Sequence, residues 1–144
     1  ASEAIFQEFL GSDPTKTLWH GHSFTANPLG CAAANASLDL LEADPACHEQ
    51  FEQRHQQRLE RLACHPRVQR VRLCGTIAAF DLVTEGEQGY LNPAGKVLRG
   101  LVRDQGVLIR PLGDVVYLLP PLCISDAQLD QCYDALHKGL DALP

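Results

Sequence analysis

The amino-acid sequence predicts an α+β fold, a small and mainly antiparallel sheet with helices covering one face. Three observations lead there. Asn27-Pro28, Asp44-Pro45 and Asn92-Pro93 each set a preferred cap before a proline at the first helical position, where the lost N–H has no intrahelical partner. Four short runs rich in β-branched residues, Val68–Leu73, Ile77–Val83, Val107–Arg110 and Val115–Leu119, have strand length and are bounded by turn-forming residues. The last two runs flank Pro111-Leu112-Gly113-Asp114, a composition that favours a hairpin turn.

Taken in order, residues 1–19 read as a short amphipathic helix carrying Ile5, Phe6, Phe9 and Leu10, then a Gly-Ser-Asp-Pro turn and a loop through Trp19. A helix over 28–43 follows, rich in the small side chains Cys31, Ala32, Ala33, Ala34 and Ala36, which allow another backbone to approach closely. Asp44-Pro45 opens a second helix to about residue 64. It is mostly polar, with Cys47, Phe51, Leu59 and Leu62 on one thin stripe, so it is expected on the surface. Val68, Val71 and Leu73 mark a strand, Gly75 a break, and Ile77–Val83 a second strand, followed by a polar loop over Glu85–Tyr90. The helix opened by Asn92-Pro93 carries Val97, Leu98, Leu101 and Val102 on one face and takes Gly106 as its C-terminal cap. After the hairpin, Pro120-Pro121 stops the sheet. Ser125 and Gln128 form a capping box for a last helix with Leu129, Cys132, Tyr133, Leu136 and Leu140 on its apolar face.

The composition excludes several function classes. Of 144 residues, 45% are hydrophobic and 21% charged, as in an ordinary globular protein. The net charge of −6 argues against nucleic acid or an anionic membrane as partner, since both select basic surfaces. No apolar run approaches the length that spans a bilayer. Six cysteines without tight spacing read as small hydrophobes in a reducing, cytoplasmic compartment rather than as a disulfide scaffold. His20 and His22 invite a metal but lack a third ligand nearby. Cys47-His48 and Cys64-His65 sit at opposite ends of one predicted helix, about 25 Å apart at about 1.5 Å per residue, too far for one ion. No metal site is expected.

The densest motif is His20-Gly21-His22-Ser23-Phe24-Thr25-Ala26-Asn27-Pro28-Leu29-Gly30-Cys31-Ala32-Ala33-Ala34. It runs a hydroxyl-bearing loop into a capped helix start, where hydroxyls and free amides suit a phosphate. A second run, Gly106-Val107-Leu108-Ile109-Arg110-Pro111-Leu112-Gly113 then Val116-Tyr117-Leu118-Leu119-Pro120-Pro121, ends an apolar stretch on an arginine. Together these resemble class III pyridoxal-phosphate (PLP) aminotransferases, and within that family they are most similar to the branch that aminates 8-amino-7-oxononanoate in biotin synthesis.

The resemblance implies a fold-type I PLP-dependent transferase, of which this chain would be the C-terminal part. Residues 1–44 would end the large cofactor-binding domain with its connecting helix, and residues 45–144 would form the small domain. It also implies a homodimer acting on small molecules, with S-adenosylmethionine or lysine as amino donor. Ser23 would reach the cofactor phosphate of the neighbouring subunit, and Arg110 would hold the substrate carboxylate. Gly21, His22 and Tyr117 would line the substrate pocket. Read without the resemblance, Ser23 is a polar loop residue, Arg110 an exposed arginine at a hairpin end, and Tyr117 a half-buried strand tyrosine. The arginine fork does match a carboxylate in two-point geometry, which favours a binding role.

The absence of Met, with Ala-Ser-Glu at the start, agrees with a fragment. So do the lysines. A Schiff-base lysine needs a desolvated pocket, whereas Lys16 lies in a polar loop, Lys96 early on an amphipathic helix and Lys138 late on another. The cofactor-bearing lysine is therefore expected upstream, and this chain alone is expected to be inactive. Two alternatives stay open: another class III enzyme acting on an ω-amino acid or diamine, and a non-catalytic α+β interaction module.

Overall fold

The computed structural model describes residues 2–144. Its elements are α1 (Glu3–Glu8), a 3-10 turn (Pro14–Lys16), α2 (Pro28–Ala43), α3 (Cys47–Ala63), β1 (Val68–Cys74), β2 (Ile77–Leu82), α4 (Ala94–Arg103), β3 (Val115–Leu118) and α5 (Asp126–Asp141). The chain divides into two compact units, Ala1–Ala43 and Asp44–Pro144. The first holds α1, the 3-10 turn and α2, and none of its described residues is buried. The amphipathic face expected on α1 is present in sequence, but Ile5, Phe6, Phe9 and Leu10 are all exposed.

The second unit is an α+β sandwich around one core. The sheet is antiparallel in the order β1-β2-β3. Its inner face presents Val68, Leu73, Ala78, Phe80, Leu82, Val116 and Leu118 to a core completed by Leu59 and Leu62 of α3, Leu98 and Val102 of α4, and Leu129, Leu136 and Leu140 of α5. Alternation along the strands puts Gln69, Arg72, Ala79, Asp81 and Tyr117 on the other face. Helices α4 and α5 cross at Gly139, where an added Cβ would lie 2.9 Å from Leu98 Cδ1 and Val102 Cγ2.

Local caps explain the start of α5 and the end of α4. Ser125 accepts from Gln128 N–H while the Gln128 side chain receives Ser125 N–H, closing the expected capping box. After α4, Gly106 N–H donates to Arg103 O (2.8 Å) and Val107 N–H to Val102 O (3.3 Å), the paired bonds of a Schellman stop with Gly106 at φ +83°.

Three expectations are corrected. Helix α3 starts at Cys47, because Asp44-Pro45 forms a turn in which the Asp44 carbonyl, not its side chain, accepts from Cys47 N–H. That helix has the expected narrow stripe on an otherwise largely exposed surface, but the stripe includes His55 and only partly covers Cys47: Phe51, His55, Leu59 and Leu62 are the buried residues. Residues 107–110 form no strand. The turn closes on Leu112 and Val115, which exchange both backbone bonds (2.8 and 3.1 Å). Pairing stops after that one bridge, where Pro111 packs against Gly95 at the start of α4, and the sheet has three strands rather than four.

Candidate active site

In the first unit, the loop before α2 is built from side chains that bind their own backbone. His22 Nδ1 accepts from Phe24 N–H (3.1 Å), and Thr25 Oγ1 accepts from His22 N–H (3.3 Å). Thr25 N–H donates to His22 O (3.0 Å). Ala26 takes a left-handed φ of +56° and turns the chain into Asn27. Asn27 caps α2 as expected, its Oδ1 accepting from Gly30 N–H (2.8 Å) while its Nδ2 donates to Phe24 O (3.0 Å). A Cβ on Gly30 would sit 2.8 Å from Asn27 Nδ2, so the glycine makes room for the capping carboxamide.

This geometry separates two hydroxyls that the sequence groups together. Thr25 commits both its hydroxyl oxygen and its amide to the turn. Ser23 is exposed, and neither its hydroxyl nor its N–H finds a hydrogen-bond partner among the described residues. Ser23 therefore presents two unspent donors beside a capped helix start, a donor set that fits a phosphate. Gly21 and His22 lie immediately before it, and a Cβ at Gly21 would meet nothing within 4 Å.

In the second unit, Arg110 is exposed on the segment that leads into the Pro111–Asp114 turn. It lines a cleft of about 260 Å³ with Tyr90, Asn92, Lys96, Pro111 and Leu112. Backbone packing holds the cleft. Gly113, at φ +65°, lies so close to the 89–90 loop that a Cβ there would fall 2.0 Å from Gly89 O. A Cβ at Gly95 would fall 2.0 Å from Gly113 O. The loop, the turn and the first turn of α4 thus meet main chain to main chain. Asp114, 1% exposed, ties them further, its Oδ1 accepting from Gly89 N–H (3.0 Å) and its backbone O from Leu82 N–H (2.9 Å). Asn92 Oδ1 accepts from Ala94 N–H (2.9 Å) at the start of α4.

Tyr117 lies elsewhere. It is half-buried on the outer sheet face, opposite Ala79, and it does not line the Arg110 cleft. All three lysines are exposed, and Lys16 is paired with Glu8 at 2.7 Å, so none has the desolvated setting of a cofactor-bearing amine. The glycine contacts and Lys96's place beside Arg110 are not evident from the sequence. The available signal was Gly95 itself, a poor helix former in the first turn of a helix, with no turn of its own to make.

Comparison with known proteins places this geometry. The model of the class III aminotransferase family matches residues 1–140. The adenosylmethionine-8-amino-7-oxononanoate aminotransferase of Synechococcus elongatus is 48% identical over 143 residues, covering 99% of this chain and 34% of that protein. The protein of the same name from Geobacter sulfurreducens is 38% identical over 147 residues, covering 97% and 32%. The chain spans about a third of the length of the curated relatives it matches. Among solved structures, adenosylmethionine-8-amino-7-oxononanoate aminotransferase from Methanocaldococcus jannaschii superposes with a TM-score of 0.77 at 28% identity, over 99% of this chain and 34% of that one. The omega transaminase from Pseudomonas jessenii in complex with PMP gives 0.70 at 25% identity, over 88% and 29%. The chain belongs to the class III aminotransferases.

Proposed function

We propose that this chain is the C-terminal part of a homodimeric, cytoplasmic, PLP-dependent aminotransferase that transfers an amino group to 8-amino-7-oxononanoate, giving 7,8-diaminononanoate. S-adenosylmethionine is the proposed donor, on the strength of the names of the most similar relatives. The observation that carries the reading is Arg110, a guanidinium without an ion pair among the described residues, in a cleft that no Asp or Glu lines. A carboxylate-ended substrate matches that fork in two-point geometry. The six cysteines are free, which supports the reducing compartment, and no helix is long and apolar enough to cross a membrane.

The residues present fit the phosphate end of the cofactor and not its aldehyde end. Ser23 would donate to the phosphate bound in the neighbouring subunit, and Gly21 and His22 would flank the substrate beside it. The amine that holds the cofactor covalently is not one of the three exposed lysines. When bound, PLP supplies the carbonyl that carries the amino group and an electron-withdrawing ring. Arg110 would orient the substrate by its carboxylate, and Tyr117, which does not line the Arg110 cleft, would meet the substrate away from that end.

Steady-state kinetics of the whole enzyme test the reading. Arg110→Ala is expected to weaken oxononanoate binding by about 1.5–3 kcal/mol, the range for a hydrogen bond to a charged group. Arg110→Lys is expected to restore only part, because an ammonium cannot form the fork. Unchanged KM and kcat in both variants would reduce Arg110 to a surface residue.

A further inference from the structure

The cleft beside Arg110 holds a second cation. Lys96 is exposed on the first turn of α4, and neither it nor Arg110 makes an ion pair or side-chain hydrogen bond among the described residues. The chain carries 18 acidic residues against 12 Lys and Arg, so acids are plentiful, yet none lines this cleft. We infer that Lys96 is a second carboxylate-binding residue, which shares with Arg110 the anionic end of an aliphatic substrate. The inference deepens the role proposed above for Arg110 and rests on it.

Three features favour a built site over two solvated side chains. The backbones that carry the cations are fixed against each other, because Gly95, next to Lys96, touches the turn that follows Arg110: a Cβ there would also lie 2.7 Å from Pro111 Cβ. The Cα atoms that carry the cations are therefore fixed, and an anion has only the two side chains left to order. The start of α4 adds the positive end of a helix dipole on the same side. The size is also informative. A cavity of about 260 Å³ falls below the roughly 300–1,000 Å³ of a pocket that encloses a whole small ligand, so it suits one end of a longer molecule. Tyr90, Pro111 and Leu112 give that end an apolar flank for methylenes, and the two cations give it a charge.

The chemistry divides the work. The Arg110 fork fixes the carboxylate plane, and the Lys96 ammonium adds a point charge that does not constrain orientation. Lys96 is thus a specificity residue that acts on substrate affinity and not on the reacting atoms.

Two measurements test this. In the whole enzyme, Lys96→Gln is expected to raise KM for oxononanoate about tenfold with kcat within about twofold, and Lys96→Arg to recover most of the loss. In this chain, 1H–15N spectra titrated with heptanoate are expected to show shifts at the Asn92, Lys96 and Leu112 amides that heptanol does not produce and that Lys96→Gln weakens. An unchanged KM in Lys96→Gln, a loss confined to kcat, or equal shifts with heptanol would overturn the inference. The two arms separate the readings. Heptanoate binding that depends on Lys96, in an enzyme that does not aminate oxononanoate, would keep the anion site and discard the proposed reaction.

Discussion

His55 shows how one buried side chain makes stability depend on pH. It is fully buried in α3, with Nδ1 2.6 Å from the Tyr133 hydroxyl and its ring tilted against Phe51. Burial pushes the imidazole down to about 4 from 6.5, helped by the Arg58 and Arg54 charges and opposed by the Thr76 backbone. Burial pushes the Tyr133 phenol up, so the pair is neutral across the working range. Between pH 6.5 and 4 the unfolded chain therefore binds a proton that the folded chain refuses. The His55 contribution is complete above 6.5 and is lost as pH falls toward 4, to a total of about 3 kcal/mol at about 1.36 kcal/mol per pH unit. Burial lowers His137 as well and acts in the same direction, so the useful quantity is the difference between wild type and His55→Gln. Urea unfolding at pH 7, 5.5 and 4.5 is expected to show a shallower pH slope in the variant, and equal slopes would show that His55 titrates normally. The sequence conceals this residue because a histidine on an apolar stripe carries no hydrophobic signal of its own. Ser23, by contrast, was visible in its motif, although only the structure shows that Thr25 commits its amide N–H and its hydroxyl oxygen to the turn and Ser23 does not.

Among the elements, the β1–β2 pair stores strain and secures it with charge. Between Gln69 and Arg72 the register shifts by one residue, so that Arg70 and Val71 together lie opposite Phe80. Arg70 takes φ +49°, a left-handed conformation that costs a residue with a Cβ about 1–2 kcal/mol. What holds it is Asp81, 3% exposed in its side chain, which Arg70 grips at 2.5 Å and Arg72 at 2.7 Å. Removing both arginines leaves a buried carboxylate unpaired. Arg70→Ala with Arg72→Ala is therefore expected to destabilise the chain by about 3–5 kcal/mol, and Asp81→Ala in that background to recover a large part of it. Alanine at position 70 keeps the backbone strain constant, so the cycle isolates the charge. A double variant that loses less than about 1 kcal/mol, the ceiling for exposed pairs, would make these ordinary surface contacts. The same comparison shows what sequence can report about elements. The Asn27 cap, the Ser125–Gln128 box and the Gly106 stop were legible because each is closed by bonds within five residues. The strand expected over 107–110 was not, because its end is held at Pro111 against the start of α4, a contact that lies outside the run itself. Nor was the bulge, since no local signal places an arginine at positive φ.

At the scale of the molecule, the two units differ in kind. Asp44–Pro144 buries Phe80, Leu82, Leu98, Val116, Leu136 and others around one core, and α3 is tied to the start of α5 by Arg54 and Arg58. Arg54 donates to Asp126 at 2.8 Å and Arg58 to Asp130 at 2.7 Å, and the Arg54 bond holds the Asp126 carboxyl below its ordinary value. The unit Ala1–Ala43 buries no described residue, and Leu29, Leu38 and Leu40 of α2 are exposed along with Trp19 and Phe24. A helix of 16 residues with a good cap and many alanines sits near the length at which an isolated helix is only marginal in water. Its stability in this chain must then come from propensity and the Asn27 cap, while that of the second unit comes from burial. Native-state hydrogen exchange of the chain is expected to separate them. Amides of β2 and of α5 near Leu136 are expected to exchange only through global unfolding, with protection that falls when urea is added. Amides of α2 are expected to exchange through local fraying, with protection below about a hundredfold and almost no urea dependence, since fraying exposes little new surface. Asn27→Ala is expected to remove most of what α2 retains, as loss of a cap costs about 1 kcal/mol. If α2 amides instead showed the protection and urea slope of β2, the first unit would be gaining its stability from burial, and the division drawn here between capped helix and packed core would fail.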